Sequence, residues 1–301
     1  MKAIILAGGR GERLKSVTRR LPKPMIKVCG RPVLEHIISL FKKNGITDLI
    51  VSLCYLPEKI TSYLGTGNKF GVDIRYIYED EDKPLGTAGA IIKAKKFINS
   101  TFIVAYGDIL RKLDIKKMIN YHRKNKALAT IAVYRNSNPS PKSEVQFDED
   151  GLITAFYERP EIKKLKDKII WSNASFYIFE EGIFDFLPNN RASDFGKDIF
   201  PKVVANGKKV IAYEQKGYLF DIADLTGEVD AMIHHNQNAT TASRGCPIGC
   251  SFCIVPVMEG KQFTLLPDFT PRPILCDNNV SALPVDYQEF IIDKYNKIGV
   301  F

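Results

Sequence analysis

Five apolar residues, Ala3 to Ala7, run without a break into Gly8, Gly9 and Gly11. A short run rich in Ile and Leu reads as a buried strand, and glycines directly behind it read as a tight turn. The segments that follow keep a strict alternation. "RPVLEHIISLFKKNG" has apolar residues at helical spacing and stops at Gly45. "TDLIVSLC" reads as a strand, "PEKITSYLGTG" as a helix, "DIRYIYED" as a strand, "GTAGAIIKAKKFI" as a helix and "TFIVAYGD" as a strand ending in Asp108. This order predicts helices on both faces of a mainly parallel sheet, an α/β fold.

The next part is less regular. "ALATIAVYR", "SEVQFDEDGLITAFYERP" and "IIWSNASFYIFE" read as strands, with a hairpin turn at Glu149–Gly151. "FGKDIFPKVVANG" reads as a helix, "KVIAYEQKGYLFDIA" as a strand pair and "GEVDAMIHHNQNA" as a closing helix. After Ala239 proline becomes frequent. Only "PILCDNN" then looks like a strand and "PVDYQEFIIDKYNKIG" like a helix. The shift predicts a boundary near residue 239, with one domain over 1–238 and a short, incomplete segment over 239–301.

Charge and composition narrow the classes. The net charge is +9, yet residues 239–301 hold 5 basic and 6 acidic residues, so the excess lies in the first part. Basic runs such as "RKLDIKKMINYHRKNK" contain only Tyr121 as an interleaved aromatic, which is too little for a nucleic-acid stacking platform. A basic surface instead suits small polyanions. No apolar run approaches the ~18 residues that span a bilayer. The N-terminal run is too short for a signal peptide, so the expectation is a soluble, cytoplasmic chain. Six cysteines are present, three of them clustered; the scattered Cys29, Cys54 and Cys276 read as reduced thiols.

The glycine-rich head lacks the G-x-x-x-x-G-K-[ST] loop, and Leu14 stands where G-x-G-x-x-G needs its third glycine. Small residues behind a strand still let backbone N–H groups approach phosphates, and Arg13 and Lys23 add positive charge.

With "LAGGRGERL", Thr18, "PKPM" and "VCGRP", the sequence resembles the sugar-phosphate nucleotidyltransferases. "PLGTAGAI", "YGDIL", "YERP", "SNASFYIF" and "YLFDIADLTGEVD" recur in the family's order, so the resemblance covers roughly residues 1–238. It implies a Rossmann-like three-layer α/β/α domain. It also implies a reaction: a sugar 1-phosphate oxygen attacks the α-phosphorus of a nucleoside triphosphate, and pyrophosphate leaves. Such a transfer rests on positioning and charge neutralisation.

The implied roles follow residue by residue. Leu6, Ala7, Gly8, Gly9 and Gly11 would hold the nucleotide, with Gly86 and Thr87 lining its site. Arg13 and Lys23 would stabilise charge on the α-phosphate and on the leaving pyrophosphate. Asp108 and Asp221 would bind Mg²⁺, a hard ion that prefers oxygen ligands. Glu158, Arg159 and Asn173 would face the sugar phosphate. "PKPMIKVCGRPVLEHII" and "LGTAGAI" look most like mannose- or heptose-1-phosphate guanylyltransferases. Base choice is expected to depend on hydrogen bonds near Ala7, Gly8 and the Glu79–Lys83 turn, and uridylyl or thymidylyl transfer stays open. A homo-oligomer is compatible with this reading; nucleic-acid and membrane partners are not expected.

Departures gather on the sugar side. Arg159 stands where the family has Lys, and Ser143, Ser175 and Ala223 stand where it has Gly. Two other readings compete: a catalytically silent, nucleotide-sugar-sensing subunit of the same fold, and a radical enzyme with this head as accessory module. Retention of Arg13, Lys23, Asp108 and Asp221 favours the transferase.

The tail motif "SRGCPIGCSFC" resembles the radical S-adenosylmethionine signature. Cys246, Cys250 and Cys253 would hold three irons of a [4Fe–4S] cluster. A zinc site with Cys276 is the alternative. The tail is far shorter than a closed barrel, so a severed, inert piece is expected. The segment before the cysteines lacks the apolar run of a buried first strand.

Overall fold

The computed structural model describes residues 1–9, 20–28, 31–136, 143–160, 170–188, 191–222, 239–240, 243–244, 264–265, 274–275, 283 and 285–297. The apolar run at the head forms strand β1 (Lys2–Leu6). Then follow α1 (Val33–Lys43), β2 (Asp48–Leu53), α2 (Pro57–Leu64), β3 (Asp73–Tyr78), α3 (Gly86–Ile92) and β4 (Phe102–Tyr106). This is the alternation read from the sequence. After β4 come β5 (Ile109–Arg111), α4 (Ile115–Asn125), β6 (Ala129–Asn136), β7 (Ser143–Phe147), β8 (Ile153–Glu158) and β9 (Ile170–Phe179). Then follow α5 (Phe200–Ala205), β10 (Val210–Glu214) and β11 (Leu219–Asp221).

Seven strands make one sheet in the order β10-β6-β9-β4-β1-β2-β3. β9 runs antiparallel to both its neighbours, and the other pairings are parallel, so the sheet is mixed and mainly parallel. Side chains on β1 alternate between two cores. Ala3, Ile5 and Ala7 pack with Ile38 and Phe41 of α1, Ile60 of α2 and Met118 of α4. Ile4 packs on the opposite face with Ala88 and Ile91 of α3 and Phe200 of α5. Helices therefore cover both faces. The second core is dominated by Tyr177, Phe179, Phe195 and Phe200, whose ring centroids lie 5.1–6.3 Å apart. Burying each large apolar side chain contributes roughly 1.5–3 kcal/mol, which anchors β9 and the turn before α5 to each other.

Three expectations need correction. "KVIAYEQKGYLFDIA" does not pair with itself: β10 joins the main sheet beside β6, while β11 pairs with β5. "GTAGAIIKAKKFI" is helical only over Gly86–Ile92, with a separate 3-10 turn at Lys95–Phe97. "FGKDIFPKVVANG" begins as a π-turn, Phe195–Ile199, and Pro201 sits in the first turn of α5, where its missing N–H is tolerated. The expected closing helix lies outside the described residues.

In the tail, Ala239–Thr240 pairs in parallel with Ile274–Leu275. Ser243–Arg244 pairs antiparallel with Thr264–Leu265. Helix α6 (Val285–Asn296) falls within the segment read as helical.

The sheet places the site. The chain runs from β1 outward to β2 and β3, then returns to add β4 on the other side of β1. That reversal makes a crevice at the carboxyl ends of β1 and β4, the usual ligand position in open α/β sheets. Gly8 and Asp108 follow those two ends, where Leu6 stands beside Tyr106.

Candidate active site

Lys23 opens a single 3-10 turn, Lys23–Met25, between Pro22 and Pro24. The two prolines fix φ on either side and set the direction of the lysine. Its side chain is buried, with the residue 5% exposed. The ammonium donates to Asp108 Oδ2 and, at 2.7 Å, to Asp221 Oδ1. Asp108 lies in the turn between β4 and β5. Asp221 ends β11 and stands opposite Ile109 in the β5/β11 ladder. Ile222 N donates to Asp108 O at 3.2 Å, closing the same clamp. Residues 198 positions apart thus meet through a two-stranded sheet outside the main one.

Burial alone would lower the Lys23 pKa; Asp108 and Asp221 outweigh it and hold it above the usual lysine value. Lys23 is therefore a fixed cation at neutral pH. Two carboxylates converging on one point are the number that Mg²⁺ commonly takes from protein when phosphates supply further oxygens. The donor set fits that ion. Among the described residues no group of three or more His, Cys, Asp or Glu could hold a metal on its own.

Backbone approaches the same crevice closely. A Cβ on Gly8 would come within 2.9 Å of Cys54 Cβ, so only glycine lets the chain pass there unaltered. The Gly8 position also faces Glu79, whose carboxylate accepts from Ser52 Oγ at 2.9 Å and from Leu85 N at 3.0 Å. Glu79 therefore ties the end of β2 to the turn before α3. This puts Gly8 and Glu79 side by side.

Gly86 has φ +72°, and a Cβ there would meet Ser193 O at 2.5 Å. Thr87 Oγ1 donates to Asp194 Oδ2 at 2.7 Å and accepts from Phe195 N at 3.0 Å. These two residues clasp the 191–195 segment, which the sequence reading did not foresee.

Strand β9, which carries Asn173, bulges. Between Asn173 and Tyr177 it advances four residues while β6 advances two. Asn173 Nδ2 donates to Tyr177 Oη at 2.8 Å, and its Oδ1 accepts from Ser175 N at 2.9 Å. Ser143 Oγ accepts from Asn173 N at 2.9 Å, and Ser143 O accepts from Ser172 Oγ at 2.6 Å. Ser175 has φ +54° and Arg159 φ +49°, left-handed conformations that favour glycine. Glu158 ends β8, with its carboxylate directly against Gly196.

Arg111 escaped the sequence reading. Its guanidinium donates to Ala174 O at 2.7 Å and to Ser175 O at 3.2 Å, holding the bulge, and it lies over the Phe176 ring. Burial lowers its pKa to about 10, against the pull of Tyr177 and Asp108. The available signal was an arginine inside an apolar strand three residues after Asp108. Gly11, Arg13, Cys246, Cys250 and Cys253 lie outside the described residues.

Comparison with known proteins decides the family. The nucleotidyl transferase family model matches residues 2–242. The chain belongs to the nucleotidyl transferase family. A UTP–glucose-1-phosphate uridylyltransferase of Synechocystis is 36% identical over 69% of this chain and 56% of its own length. A mannose-1-phosphate guanylyltransferase of Mycobacterium tuberculosis is 34% identical over 73% of this chain and 60% of its own. The chain thus spans less than two thirds of either curated relative. HddC from Yersinia pseudotuberculosis, with two solved structures of which one is complexed with GMP-PN, is 30% identical, covering 74% of this chain and 93% of its own. The TM-scores are 0.63 and 0.62. The family match stops at residue 242, and these comparisons give no support to a radical S-adenosylmethionine segment or an iron–sulfur cluster in the tail. No helix among the described residues is long and apolar enough to cross a membrane.

Proposed function

We propose that the chain is a sugar-1-phosphate nucleotidyltransferase. An oxygen of the sugar 1-phosphate attacks the α-phosphorus of a nucleoside triphosphate; the bond to the β-phosphate oxygen breaks, and pyrophosphate leaves. GTP is the favoured donor and a mannose- or heptose-type sugar 1-phosphate the favoured acceptor. The observation that carries the reading is the cluster of buried Lys23 with the half-buried Asp108 and Asp221 at the switch point of the sheet. Family membership and the guanylyltransferase relative support it.

The roles follow from the chemistry of each group. The backbone after β1 presents N–H groups toward phosphate, and Gly8 allows the close approach. Lys23 lowers the energy of charge that builds on the phosphates during transfer. Asp108 and Asp221 would hold Mg²⁺, which when bound supplies charge neutralisation at the phosphate oxygens. Asn173, set by the β9 bulge, and the Glu158–Arg159 pair are assigned to the sugar-phosphate side. Gly11 and Arg13 complete the phosphate loop in this assignment. Gly86 and Thr87 act on the nucleotide side by holding the 191–195 segment in place.

A second reading, UTP with glucose 1-phosphate, is favoured by the uridylyltransferase relative. Pyrophosphate release measured across four nucleoside triphosphates and a panel of sugar 1-phosphates separates the two. Release that needs both substrates supports the transferase, and the preferred pair fixes base and sugar. No release with any pair would leave the silent sensing subunit as the better account.

The transferase unit is assigned to residues 1–238, within the family match. A chain ending at Asn238 is expected to keep the activity. Residues 239–301 are assigned to a separate piece, and anaerobic reconstitution of its cysteines with iron is expected to give little stable cluster.

A further inference from the structure

Lys23 Nζ, Asp108 Oδ2 and Asp221 Oδ1 meet at one point. A metal ion held between those carboxylates competes for the place that the ammonium now occupies. The ion and the ammonium are also both positive, so they repel when brought together in a site where water screens little. The backbone keeps the two carboxylates close. The β5/β11 ladder and the Ile222 N to Asp108 O bond hold the two side by side. Lys23 is just as constrained: its side chain is buried, and prolines flank it on both sides. An ammonium taken from two carboxylates in such a place needs another anion.

We propose that Lys23 is an internal counter-ion that keeps a divalent metal off Asp108 and Asp221 until an incoming triphosphate takes over the ammonium. Metal and nucleotide then bind as a coupled pair. The coupling has a second root in ligand number: two carboxylates leave most of the six positions of Mg²⁺ to phosphate and water. The identity of the incoming anion rests on the transferase reading above. The competition between Lys23 and the metal does not.

The test is Mn²⁺ binding to the full chain, followed by the free-ion electron paramagnetic resonance signal, without nucleotide. Lys23→Met removes the charge and keeps the length; Lys23→Gln also offers hydrogen bonds to both carboxylates. Either is expected to bind Mn²⁺ about tenfold or more tightly than wild type, the usual size of a coupling between sites. Lys23→Arg keeps the charge and is expected to bind as weakly as wild type. Adding Asp108→Asn to either neutral variant should erase the gain.

The proposal fails if both neutral variants bind Mn²⁺ no more tightly than wild type, or if the gain survives Asp108→Asn. Pyrophosphate release, measured separately, reports on the transferase reading. A chain without transfer but with this Mn²⁺ pattern would sink that reading and leave the counter-ion standing.

Discussion

The two sides of the crevice are built by different means. On the side assigned to phosphate, charged residues are fixed by local elements: Lys23 by a proline-flanked turn, Asp108 by the turn between β4 and β5, and Asp221 by the end of the β5/β11 ladder. On the side assigned to the sugar, position comes from a bulge in β9 sewn together by neutral hydrogen bonds and one buried arginine. The departures at Arg159, Ser143 and Ser175 fall on this second side. The comparison teaches where substitution is tolerated. A charge cluster loses its function with one residue, whereas a bulge can exchange backbone strain for new side-chain bonds. Ser143 illustrates the gain, since its hydroxyl accepts from Asn173 N. Ser175 illustrates the strain, at φ +54°.

The largest effect is expected at Lys23. Lys23→Ala should lower kcat by about 10²–10³, the usual result of removing one preorganised group, while circular dichroism stays unchanged. A change confined to KM would place Lys23 in ground-state binding and blur the contrast between the two sides.

Arg111→Met comes next, and it acts on stability. It leaves the carbonyls of Ala174 and Ser175 without their donor in a buried place, which costs about 1–3 kcal/mol. Urea denaturation should show that loss, together with a raised KM for the sugar 1-phosphate. Unchanged stability would mean that the bulge holds itself.

The smallest effect is expected at Ser175. Ser175→Gly relieves the left-handed strain, offset in part by the freedom glycine gains in the unfolded chain, for a net gain of about 0.5–1 kcal/mol. Asn173 still accepts from the backbone N–H at that position, so the bulge persists. A loss of stability would show that the serine hydroxyl contributes more than the strain removes.

The same contrast explains what the sequence made legible. Strand β1, its glycines and the Asp108 turn follow from local pattern, because a buried parallel strand is a short apolar run and a turn needs small residues. The α/β alternation through β4 was visible for the same reason. The destination of β11 was not: its partner β5 lies more than a hundred residues away, and nothing in "YLFD" distinguishes a hairpin partner from a distant one. The clasp of Thr87 on Asp194 and the hold of Arg111 on the bulge are also contacts between distant segments. Ser175 was marked as a departure from a glycine, and the positive φ there gives that departure its physical meaning.

The central claim is that Asp108 and Asp221 act with Lys23 as one assembly during transfer. A double-mutant cycle on kcat at limiting Mg²⁺ tests it directly, with Asp108→Asn, Asp221→Asn and the pair, and with Asp150→Asn in the β7/β8 turn as control. The account predicts that each single variant raises the Mg²⁺ requirement and lowers kcat, that the pair is little worse than either alone, and that the control behaves as wild type. Single variants that turn over like wild type, or losses that simply add, would contradict it.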